Sequence, residues 1–167
     1  MKALTDIANR PDSAGLMANI AFAVGAAAIT NILIFALGWN SGAQPDLRPA
    51  ISPPGYVIGI IWIVLFGLMG AARWFVVRQQ SGVPGSNSKL ILVLIAFCLA
   101  YPFYTQGLDN RAIGLIGNFL TFALAAWIFF RVRPENREAA SLILPVLIWV
   151  GYATAIIIRS IQLNGLS

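Results

Sequence analysis

Five long apolar blocks, separated by short polar breaks, constrain this chain more than any other feature. Residues 16–38 and 54–72 contain no Asp, Glu, Lys or Arg. Runs of this length match a hydrocarbon core of ~30 Å crossed at ~1.5 Å per residue. Inside lipid every backbone N–H and C=O must be satisfied within the segment, so each block has to be a helix. The expected fold is all-α: an integral membrane protein built as a five-transmembrane-helix bundle. Its spans fall near residues 16–38, 54–77, 89–106, 112–130 and 139–163, after a polar tail over 1–15 and before a short tail over 164–167. The charged fraction agrees, at 10% against ~25% in soluble domains.

The breaks follow ordinary turn chemistry. Pro53-Pro54 hold the approach to the second helix extended, and Pro54 suits a first helical position because its missing N–H costs nothing there. Gly, Pro, Ser and Asn residues mark the turn between the second and third helices. Pro102 is expected to kink or stop the third helix. Five spans put the termini on opposite sides. One side then holds Lys2, Arg10, Arg73, Arg78, Lys89, Arg131, Arg133 and Arg137, the other only Arg48, Arg111 and Arg159. This imbalance places the N-terminus inside and the C-terminus outside. Arg73, Trp74 and Arg78 are expected to reach toward the headgroups at the end of the second helix.

Much chemistry is excluded. Histidine is absent and Cys98 is the single cysteine, which rules out a disulfide framework, a Cys/His metal site, a His-ligated haem and a Ser-His-Asp triad. Asp6, Asp12, Asp46, Asp109, Glu135 and Glu138 all lie in expected loops or tails, so no carboxylate relay crosses the membrane. The net charge of +5 sits in membrane-flanking clusters and marks topology, not nucleic-acid binding. The chain is not expected to be an enzyme.

Aromatic residues remain. Trp39, Trp74 and Trp127 stand at helix ends, where an aromatic belt accounts for them. Trp62 and Trp149 stand within spans, roughly 12 Å and 15 Å from opposite ends of their helices at the helical rise. Each carries an indole N–H that needs an acceptor. Two readings stay open at this point: a packed core, or a pocket between helices that stacks a flat apolar ligand. Asn19 and Asn31 read as polar contacts between helices, and Gly55, Gly59, Gly67 and Gly70 as small residues that support either a dimer or close packing within the chain.

The stretch from Arg48 to Ala72 resembles the TspO (translocator protein, or tryptophan-rich sensory protein) family. That pattern reads roughly K-P-x-x-x-P-P-x-W-x-F-G-P-x-W-x-x-L-Y-x-x-M-G-x-A. Arg48, Pro49, Pro53, Pro54, Tyr56, Gly59, Trp62, Leu65, Phe66, Met69, Gly70 and Ala72 fall in register, some by conservative exchange, while Ile58 and Ile60 replace Phe and Pro. The fifth span resembles the family ending P-Y-L-x-W-x-x-F-A-x-x-L-N through Pro145, Leu147, Trp149, Tyr152, Ala153 and Ile156, with Val146 and Ile157 replacing Tyr and Asn. The third span departs: Leu94, Cys98, Tyr101 and Pro102 stand where the family shows Q-x-x-x-N-x-x-W-S.

The resemblance implies a membrane protein binding a tetrapyrrole such as a porphyrin or haem, or a related lipophile, in a regulatory, sensing or transport role. Pro54, Trp62, Phe66, Cys98, Tyr101, Trp149 and Ala153 would bind the ligand, with Arg48 and Pro53 at its mouth. It implies membrane lipids and a hydrophobic small molecule as partners, with a homodimer or a larger membrane complex as the assembly, in a bacterial inner membrane. Light-dependent porphyrin degradation, suggested for relatives, ranks last. The rival expectation is a structural accessory subunit of a larger complex, which would need no pocket and suits the lost polar residues of the third span. Val150, Tyr152 and Arg159 approach a cholesterol-recognition pattern, but the spacing exceeds it and no sterol binding is expected.

Overall fold

The computed structural model describes residues 6–38, 49–80, 84–106 and 110–165, with the backbone alone for 104–106. Five helices make the bundle: α1 Ser13–Ala36, α2 Gly55–Gln79, α3 Ser86–Gln106, α4 Arg111–Val132 and α5 Arg137–Asn164. All five include a stretch long and apolar enough to cross a membrane, and no strand occurs among the described residues.

Local chemistry sets the helix ends. Asp12 accepts from the Gly15 N–H at 3.0 Å, which starts α1 three residues ahead of the expected Leu16. Asn110 and Asn136 cap α4 and α5 in the same way, through the N–H groups of Ile113 and Ala139. A capping side chain of this kind stabilises a helix by about 1 kcal/mol. Pro54 is the residue before α2 rather than its first member, extended at ψ 146. Pro102 does not stop α3, which continues to Gln106. The α5 helix ends at Gly165, whose φ of 87 is open to glycine at little cost.

The helices close into a ring in the order α1, α2, α5, α4, α3, with α3 returning to α1 and also touching α2. Met69, Ile91, Leu94, Ile128, Ile143 and Val146 are fully buried at its centre. Ile32, Phe35, Ile116, Phe119, Phe130 and Ile148 are largely exposed on the outside. An apolar exterior of this extent belongs in lipid, because a water-soluble monomer rarely exposes so much contiguous apolar surface. Of the small residues, Gly70 is the one that lets α1 approach α2: a Cβ there would stand 2.6 Å from the Asn19 carbonyl oxygen. A Cβ on Gly55 or Gly59 would meet nothing within 4 Å among the described residues.

The two ends of the bundle differ. The end holding the N-terminus is tied by polar groups. Asn87 donates to Glu135 Oε2 at 2.7 Å and accepts from Arg131 Nε at 3.2 Å. Asn136 donates to the Phe75 carbonyl at 3.2 Å and to Gln79 Oε1 at 2.8 Å. Arg78 does lie outward, 5.1 Å over the Trp74 ring. Arg73 does not reach for headgroups: it is 7% exposed and donates to Asn19 Oδ1, to Asn9 Oδ1 at 2.8 Å and to the Ala8 carbonyl at 3.3 Å. Trp74 Nε1 donates to the Arg10 carbonyl at 3.1 Å. The part of the expected tail that is described, residues 6–12, is therefore a strap docked on α1 and α2. Asn19 is the hub of that dock, with its own amide donating to Ala8 and Gly15 carbonyls at 2.6 and 2.8 Å.

Candidate functional site

Toward the opposite, far end an apolar groove opens between α2 and α5. The two helices run antiparallel, since Asn136 meets Phe75 at one end and the Tyr152 hydroxyl donates to the Ile51 carbonyl at the other. Between these points Leu68, Val64 and Ile60 of α2 face Pro145, Ile148 and Tyr152 of α5 across a cavity of about 470 Å³. Leu65 and Trp149 form its inner wall. The same register brings Trp62 level with Trp149, the depth match expected from the helical rise.

The two indoles have different surroundings. Trp62 packs on the core with its ring 5.7 Å from that of Phe66. Trp149 stands 5.6 Å from the Tyr152 ring and lines the groove, while its Nε1 is buried and has no hydrogen-bond partner. Trp149 therefore lines the groove while its N–H is shielded from solvent.

The other expected site residues spread over the far half. Phe66 and Cys98 are buried in the core cluster, each 4% exposed. Tyr101 is half-buried and its hydroxyl approaches the Gly114 carbonyl of α4 at 3.5 Å. Ala153 is half-buried, one turn beyond Trp149, Pro53 is half-buried and Pro54 exposed. Arg48 lies outside the described residues, and so does Trp39. Ile60, Val64, Leu68 and Ile148 were not singled out by sequence. Apolar residues occupy every face of α2, so no periodicity marks the stripe that meets α5. A second unpartnered N–H in the far half, Asn118 Nδ2 on α4, was also missed.

These groups can bind but offer little for catalysis. The groove presents aliphatic and aromatic carbon, and no cluster of three metal-ligating residues occurs among the described residues.

A sequence model of the TspO/MBR family matches residues 19–162. "Translocator protein 2" of Mus musculus is 33% identical over 124 residues, covering 72% of this chain and 76% of that protein. "Uncharacterized membrane protein YtaB" of Bacillus subtilis is 30% identical over 118 residues, 70% of this chain and 73% of its own length. "Tryptophan-rich protein TspO" of Bacillus cereus is 24% identical over 107 residues, 64% and 70% of the two lengths.

Proposed function

The chain belongs to the TspO/MBR family, and we propose that it binds a flat hydrophobic ligand, a tetrapyrrole such as a porphyrin or haem or a related lipophile, between its helices in a regulatory, sensing or transport role. The observation that carries this reading is the apolar groove that ends on Trp149, level with Trp62. Its volume of about 470 Å³ lies within the roughly 300–1,000 Å³ of small-molecule sites, which are concave and mostly apolar. A planar lipophile would leave the bilayer through the groove, pass the edge of Trp149 and stack in the far half of the bundle. The indoles and Phe66 supply large flat contact area at low entropic cost, with about 0.5–1.5 kcal/mol per well-placed aromatic pair beyond area burial. Among the described residues the groove is lined by apolar side chains and Tyr152, and the proposed role is binding without turnover. The excess of Lys and Arg on the side of the strap and the α2–α3 and α4–α5 turns supports an N-terminus inside, in a bacterial inner membrane.

Titration of tryptophan fluorescence in the detergent-purified protein with protoporphyrin IX tests this. Saturable, near-stoichiometric quenching is expected, weakened about tenfold in Trp149→Phe, where one aromatic contact and the indole N–H change. Equal and non-saturating quenching in wild type and in the Trp62→Phe/Trp149→Phe double variant overturns the reading, because it reports partition into the micelle. The lipid-facing position of the groove favours one other reading, an accessory subunit whose groove takes a partner's helix. Co-migration with a large assembly in mild detergent, together with loss of stability outside it, supports that reading instead.

A further inference from the structure

Three buried side-chain atoms among the described residues have no hydrogen-bond partner, and all three are N–H donors: Arg73 Nε, Trp149 Nε1 and Asn118 Nδ2. Arg73 belongs to the strap. The other two lie in the half of the bundle where the ligand is placed. Asn118 is 4% exposed, on the α4 face that also buries Gly114, Thr121, Ala125 and Ile128. The opposite face of α4 exposes Ile116, Phe119 and Leu120 to lipid. Its neighbour Thr121 is satisfied by the Gly117 carbonyl at 2.7 Å, whereas the Asn118 amide donates to nothing. Gly114 and Gly117 leave the helix surface beside it bare of side chains.

Register places Asn118 relative to Trp149. A Cβ on Gly151 would stand 3.8 Å from Phe122 Cε2, which fixes α4 against α5. Asn118 then lies about six residues, or ~9 Å, further toward the far end than Trp149. On the facing helix, residues Leu90 to Ala100 are apolar apart from Cys98, and the next residue, Tyr101, directs its hydroxyl to the Gly114 carbonyl one turn from Asn118. A buried amide N–H without a partner costs free energy, so such a group in a native structure calls for an explanation.

We propose that Asn118 is the polar anchor of the ligand site, donating from Nδ2 to a carboxylate or carbonyl oxygen at the far-end edge of the flat lipophile. This rests on the ligand-binding reading above and adds the class of ligand: a planar apolar body with an acceptor oxygen at one edge. The specificity lies on α4 rather than α3. A ligand with that oxygen pairs the donor and one without it leaves the donor as it stands in the free protein, so the site discriminates by chemistry at a single edge.

The test compares two porphyrins of like macrocycle, protoporphyrin IX with its carboxylates and octaethylporphyrin with none, by fluorescence titration of wild type and Asn118→Leu. Wild type is expected to bind protoporphyrin IX roughly tenfold or more tighter, the size of a hydrogen bond to a charged group. Asn118→Leu is expected to lose that preference while its affinity for octaethylporphyrin stays within about twofold. Retention of the preference by Asn118→Leu overturns the anchor and leaves the ligand site standing. Saturable binding of neither porphyrin by wild type overturns the ligand site itself. A folding readout stands beside these. With no ligand, Asn118→Leu is expected to melt at or above the wild-type temperature, since it removes an unpaired buried amide in exchange for apolar volume. A clear drop in melting temperature shows that the amide is satisfied within the protein, and overturns the proposal.

Discussion

Arg73 carries a full charge into the bundle, and the oxygens it bonds are all neutral: two Asn amides and one backbone carbonyl. Removing the guanidinium strands the Asn19 and Asn9 side-chain oxygens, while the Ala8 carbonyl keeps the Asn19 amide, and each buried polar group left unpaired costs roughly 1–3 kcal/mol. Arg73→Met is therefore expected to destabilise the detergent-solubilised protein by about 2–3 kcal/mol, read as a lowered melting temperature. It also releases residues 6–12 to proteolysis. Arg78→Met, five residues along the same helix and exposed over an indole, removes a cation–π contact of about 0.5–1 kcal/mol and leaves the strap in place. In sequence the two arginines look alike, because both follow an apolar run and flank Trp74. What separates them is a partner more than sixty residues upstream (Arg73 to Ala8 spans 65 positions), and periodicity carries no signal of such a contact. Trp62 and Trp149 are the contrary case. Their depth followed from counting residues along two helices, which is why the sequence placed them at one level.

At the scale of the helix, glycine shows how much of the packing was legible. The Gly55 and Gly59 pair has the spacing of a close-packing motif, yet a Cβ on either would meet nothing within 4 Å among the described residues. One on Gly70 would meet the α1 backbone, which lies directly against it. Gly70→Val is expected to push α1 from α2 and to cost about 1–3 kcal/mol or more, the usual range for overpacking a tight contact. Gly59→Ala has open space and a higher helix propensity, so it is expected to be neutral or to stabilise by up to about 1 kcal/mol. Thermal melts of the two variants in one detergent check both signs. Helix number and approximate bounds were readable because lipid demands long, self-satisfied segments. Pairwise contacts were not, because a membrane helix is apolar on all sides and the choice of face is made by shape. The groove wall of Ile60, Val64 and Leu68 and the orphan amide of Asn118 escaped notice for that reason.

Across the whole molecule, different groups fasten the helices at the two ends. One end is tied by the strap and by the network through Gln79, Asn87, Arg131, Glu135 and Asn136. At the other end the segment before α2 is fastened to α5 by the Tyr152 hydroxyl on the Ile51 carbonyl, beside the groove. An exposed hydrogen bond opens at lower free energy than a buried one, and this one stands beside the groove, so it is the fastening whose opening would bear on ligand access. Tyr152→Phe isolates that fastening, since it keeps the ring beside Trp149 and removes only the donor. Its cost in global stability is expected to be small, about 1 kcal/mol, because the bond is exposed. Its local effect is expected to be larger. The Ser52 amide, bonded to the Pro49 carbonyl at 2.9 Å within the fastened segment, should exchange hydrogen severalfold faster, while α3 amides around Ile91 and Leu94 keep their protection. Faster exchange at Ser52 with a faster porphyrin on-rate would make the tether a brake on access. Unchanged exchange at Ser52 would show that the proline segment is held by its own turn, leaving the lateral groove as the route by which a ligand arrives.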